Sequence, residues 1–97
     1  MAEPTSRDWL AAVAAIREAG IAAQLSTVPV PLILGGTLAG DFAGNPLYHD
    51  AFNISYEPAG LVLRVEGGGQ LVDELPMASL VEAVEQLIRS RRQKLAT

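Results

Sequence analysis

The sequence predicts an α+β domain, in which an antiparallel sheet of four to five strands, built as a meander of hairpins, carries the N- and C-terminal helices packed on one face. Three observations carry this expectation. Apolar residues recur at helical spacing near the two ends of the chain, they alternate with period two through its middle, and glycine and proline clusters punctuate that middle at short intervals. Ninety-seven residues make one domain, 1–97, and no internal repeat divides it.

The first helix starts at a capping-box pattern, Thr5 followed three residues later by Asp8. Trp9, Ala12, Val13, Ile16 and Gly20 share one stripe at 100° per residue and face the core. Ala19-Gly20 reads as the helix end, with Gly20 left-handed and Ile21 packing back. "IAAQLS" is then either a linker or a short strand, and the pattern does not choose between them.

"VPVPLIL" is rich in β-formers but holds Pro29 and Pro31, which remove two N–H groups from the same side and point to an edge strand. Gly35-Gly36, between "LIL" and "TLA", suits a tight hairpin turn. Residues 43–50, "AGNPLYHD", read as an irregular loop. The next stretch is the clearest β signal in the chain: Phe52, Ile54 and Tyr56 alternate with polar residues, Glu57 to Gly60 turn, and Leu61, Leu63 and Val65 alternate again. That turn sets Phe52 opposite Val65, Ile54 opposite Leu63 and Asn53 opposite Arg64. "EGGGQ" turns the chain once more into "LVDEL".

The final helix begins near Pro76 or at Ser79, where Ser79 and Glu82 repeat the capping-box pattern. Leu80, Val84, Leu87 and Ile88 form its buried stripe, and Glu85 stands four residues before Arg89 in the favourable order for an exposed pair. Arg91 interrupts the stripe and Leu95 continues it. The basic end, residues 89–97, is therefore expected to project past the domain.

Charge is divided unevenly along the chain. Residues 1–88 hold all eleven acids against three arginines, a formal −8, and the last nine residues return +4, for a net charge of −4. An acidic body repels phosphate backbones, and Glu74, Glu82 and Glu85 gather near the start of the last helix, so nucleic acid is a poor partner. Cations in a last helical turn have an ordinary role in complementing the helix dipole.

The absence of cysteine excludes disulfides, thiolate metal sites and thiol nucleophiles. The first twenty residues start acidic and are interrupted by Arg17 and Glu18, unlike a secretory signal, so a cytoplasmic location is expected. The longest weakly polar run, "VPVPLILGGTLAG", has 13 residues and two prolines, too short and too broken to cross about 30 Å of hydrocarbon.

No catalytic constellation is readable. Gly35 and Gly40 have P-loop spacing, but Asp41 and Phe42 occupy the places of the lysine and hydroxyl residue that hold phosphate. His49 beside Asp50 invites proton or metal chemistry, yet neighbours on an extended chain point to opposite faces, and a single histidine makes a poor ligand set. No catalytic residue, cofactor or metal is assigned, and an enzyme is the less favoured class.

What remains is a small non-catalytic interaction module, an adaptor, inhibitor or accessory subunit that binds another protein or itself as an oligomer. An aliphatic composition with 5% aromatic residues and a small core fits surfaces covered in an assembly. The candidate contacts are Asn45, Tyr48, His49 and Asp50 in the 43–50 segment, Arg64 on the open sheet face, and Arg91, Arg92 and Leu95 on the last helix. The alternative is a small-ligand module or enzyme that uses the 43–50 loop.

Overall fold

The computed structural model describes residues 3–67 and 70–96, with side chains throughout except at 42, 45, 46 and 93–96. Its elements run α1 (Ser6–Glu18), β1 (Ala22–Ser26), β2 (Leu32–Phe42), β3 (Asn45–Glu57), β4 (Gly60–Gly67), β5 (Gln70–Met77) and α2 (Leu80–Ala96). The strands form one antiparallel meander in the order β1-β2-β3-β4-β5. Residues 21–26, open between strand and linker in the sequence, therefore include the edge strand β1.

Both helices are set by their caps. Thr5 Oγ1 accepts from the Asp8 N–H at 3.2 Å, and Asp8 Oδ2 accepts from the Thr5 N–H at 2.8 Å, which satisfies two donors that the first turn leaves unbonded. At the other end Gly20 takes φ +84°. The Gly20 N–H donates to the Arg17 carbonyl and the Ile21 N–H to the Ile16 carbonyl, the two bonds of a Schellman stop. In α2, Ser79 Oγ accepts from the Glu82 N–H, while Glu82 Oε2 reaches back one residue further than expected, to the Ala78 N–H. Pro76 belongs to β5 and not to the helix.

The core lies between the helices and one face of the sheet. Register places Ala23, Gly35, Phe52 and Val65 in one row and Leu25, Ile33, Ile54, Leu63 and Leu75 in the next, so the period-two alternation brings apolar side chains to the same face. Trp9 and Ile16 of α1 and Ala83 and Leu87 of α2 are buried against them. α1 lies on β1, α2 lies on β4 and β5, and the helices touch each other. The Arg17 Nε–H donates to the Ala23 carbonyl at 2.8 Å and ties α1 to the edge strand.

Three expectations are corrected. β2 is an interior strand, hydrogen-bonded to β1 and β3, because it begins at Leu32, beyond Pro29 and Pro31; an interior strand needs N–H groups on both edges, so the prolines fall in the preceding link. Gly35 and Gly36 do not turn the chain. They lie within β2, and the reversal comes at Ala43-Gly44, both with positive φ (54° and 82°), the conformation of a two-residue hairpin. The 43–50 loop is consequently mostly strand. By contrast the β3–β4 hairpin has the expected register, Phe52 with Val65, Asn53 with Arg64 and Ile54 with Leu63. Gly68 and Gly69, part of the expected third turn, lie outside the described residues.

No helix among the described residues is long and apolar enough to cross a membrane.

Candidate functional site: the hairpin arm and the cleft at its base

β2 and β3 are longer than the strands beside them. β1 pairs with β2 only from Leu32 to Gly36, and β4 pairs with β3 only from Phe52 to Glu57. Beyond those limits Thr37–Phe42 pairs with Asn45–His49 alone, as a two-stranded arm with no strand on either side among the described residues. A bulge between Gly35 and Thr37 marks its base, and a second, between Leu38 and Gly40, lies within it. Opposite the first, Asp50 takes φ +49°, a left-handed conformation that aspartate tolerates better than most residues. Bulges of this kind bend a strand and re-aim its side chains.

The arm exposes apolar surface: Leu38 is 61% and Leu47 49% accessible. Tyr48 is half-buried and His49 exposed. Asn45 is at the tip, paired with Phe42, and its side chain lies outside the described residues. Three of the candidate contacts, Asn45, Tyr48 and His49, thus follow one another along the arm, with Asp50 at its foot.

Beneath the arm is a cleft of about 570 Å³. One wall is the end of α1 and the start of β1, another the bulged foot of the arm at Gly36, Thr37, Leu38 and Asp50, and the third the last described turns of α2 at Ile88, Arg91 and Arg92. The fold therefore brings Asp50 to Arg91, 41 residues away in sequence, and to its neighbour Arg92. An Arg91 Nη2–H donates to the Asp50 backbone carbonyl. The helix end expected to project is, at Arg91, held half-buried against the sheet; Leu95 lies among the side chains outside the description.

Arg64 stands elsewhere, on the face of the sheet that carries no helix. It is clamped between two acids: its Nη1 and Nη2 donate to the two carboxylate oxygens of Glu57, the second at 3.0 Å, and its Nε donates to Glu74 at 3.0 Å. Ser55 Oγ–H donates to Glu57 at 2.9 Å. Hydrogen bonds from Arg64 first, and from Ser55 second, hold the Glu57 carboxyl down at about 2, and those same acids push the guanidinium pKa up. This arginine ties three neighbouring strands together across their outer face, and most of its donors are used in doing so.

Sequence reasoning missed the cleft's other residues, Thr37, Leu38, Gly36 and Ile88. The signal was present in the glycine pair, whose role is close approach of backbones. A Cβ on Gly36 would stand 2.7 Å from the His49 carbonyl oxygen, and its φ of +154° also favours glycine. Among the described residues no group of three histidines and acids is placed to hold a metal. No known family model, curated protein or solved structure matches the chain.

Proposed function

We propose that this chain is a cytoplasmic, non-catalytic interaction module that engages another polypeptide, a partner protein or a second copy of itself, through the β2–β3 arm. The observation that supports the reading is the arm's isolation. An unaccompanied two-stranded ribbon is marginal in water, and three strands or a packed face are needed for independent stability. Here both outer edges of the ribbon lack strand neighbours among the described residues over Thr37–Phe42 and Asn45–His49, and Leu38 and Leu47 face solvent. Free main-chain donors and acceptors beside apolar side chains are what strand addition uses: backbone bonds give affinity, and alternate side chains give specificity. Tyr48 and His49 lie where they would meet the added chain.

Native mass spectrometry of the protein isolated from its own cells, paired with a Leu38→Asp/Leu47→Asp variant, tests this. The expected result is a mass above that of one chain for the parent, a multiple for self-association or an added companion for a hetero-complex, reduced to the bare chain by the two aspartates. A bare parent chain whose arm amides exchange with solvent as slowly as those of Ile54 and Leu63 overturns it, since the arm would then need no partner.

A further inference from the structure

The cleft at the foot of the arm carries an inference that needs no partner chain and so does not rest on the reading above. Its volume of about 570 Å³ lies within the roughly 300–1,000 Å³ of small-molecule sites. It is open because of the residues around it. Ala19, Gly20, Ala22 and Gly36 have little or no side chain to fill it, and at Gly20 and Gly36 positive φ values of +84° and +154° disfavour anything larger. Ile21 and Ile88 pack on the core and remain half-exposed toward the gap, and Leu38 adds an apolar edge.

Among the described residues the charged groups in the lining are Arg91, Arg92 and Asp50, two cations to one acid in a chain that is net negative. Arg91 spends one N–H on the Asp50 carbonyl, an anchor that fixes the guanidinium and leaves the rest of its donor fork. Arg92 makes no hydrogen bond or ion pair with the described residues. The Thr37 hydroxyl adds a neutral donor on the opposite wall. A guanidinium fork matches a carboxylate in geometry as well as in charge.

We propose that this cleft binds a small amphipathic carboxylate, with its apolar body against Ile21, Leu38 and Ile88 and its head on Arg91 and Arg92. Decanoate is the probe and decylammonium the control of equal length and opposite charge, each titrated calorimetrically and followed by amide chemical shifts. Saturable binding of decanoate is expected, with shifts concentrated at Gly36, Thr37 and Ile88 and no binding of decylammonium. Arg92→Gln should weaken decanoate about tenfold without disturbing the fold, since Arg92 has no described partner, and Arg91→Gln/Arg92→Gln should weaken it further. Equal binding of the two probes, undiminished binding by Arg92→Gln, shifts confined to other surfaces, or no saturation would each overturn the proposal.

Discussion

Gly35→Ala separates two reasons for a glycine, and the structure fixes the size of the effect. Gly35 sits in the middle of β2, in register with Ala23 on one side and Phe52 on the other. An added Cβ would stand 2.0 Å from the Ala22 carbonyl oxygen and 2.8 Å from the Ala23 Cα, both backbone atoms of β1 that have no rotamer to escape into. Ordinary contact begins at 3.4 Å, so the strands must part by about 1.4 Å. A backbone hydrogen bond of about 2.9 Å does not survive that stretch. Overpacking costs about 1–3 kcal/mol and each lost hydrogen bond about 1, so the substitution should destabilise by about 3 kcal/mol or more. For a domain of this size that is a fall in Tm of about 12–24 °C. Urea unfolding followed by the fluorescence of Trp9, the single tryptophan and 2% exposed, measures it directly. The control is Gly60→Ala, where nothing lies within 4 Å and only a φ of +125° opposes the methyl, for a cost of about 1 kcal/mol. A Gly35→Ala variant within about 0.5 kcal/mol of the parent, or one less damaged than Gly60→Ala, refutes the close approach of β1 and β2.

Two further predictions concern the outer sheet face and the first helix. Because Arg64 and Ser55 hold the Glu57 carboxyl at about 2, below its ordinary 4.5, its folded pKa is depressed. Its contribution to stability is therefore fully present above about 4.5 and lost as pH falls toward 2. The Glu57 carboxyl resonance should titrate near 2 in the parent and move back toward 4.5 in Arg64→Met, and a parent midpoint near 4.5 would remove the clamp. Thr5→Ala deletes the hydroxyl that accepts from the Asp8 N–H and should cost about 1 kcal/mol by the same urea assay, whereas Thr5→Ser should cost little; equal losses would mean that the cap is not the cause.

The ends of the chain and the β3–β4 hairpin were legible because their signals are local. Thr5 with Asp8, Gly20 with Ile21, and the turn at Glu57 to Gly60 each fix geometry within a few residues, and the structure keeps all three. The glycine-rich middle was not legible, because the same residue serves two purposes that a single sequence does not separate. Gly35 and Gly36 are glycine for the sake of chains far away in sequence, Ala22 on one side and His49 on the other. Ala43-Gly44 is the turn, and alanine is an uncommon first residue for a turn with positive φ at both positions. The prolines misled for a related reason. Pro29 and Pro31 do mark where pairing stops, but they mark a strand's beginning and not its position in the sheet.

The candidate site divides along the same line. Tyr48, His49 and Asp50 drew notice as chemically rich neighbours, and Arg91 as a charge within an apolar stripe, yet nothing in the spacing linked the two groups. What links them is that α2 runs back along the sheet until its last turns reach the foot of the arm, where Arg91 meets the Asp50 carbonyl. An arginine in an apolar stripe is a conflict between local pattern and packing, and it is resolved by a backbone carbonyl at the bulged foot of the arm. Deleting the bulge would therefore be felt in two places at once: the pairing register of the arm would shift, and Arg91 would lose the acceptor that seats the helix end. The arm and the cleft are in this sense one structural device, and occupancy of either surface should register in the other through the Asp50 backbone.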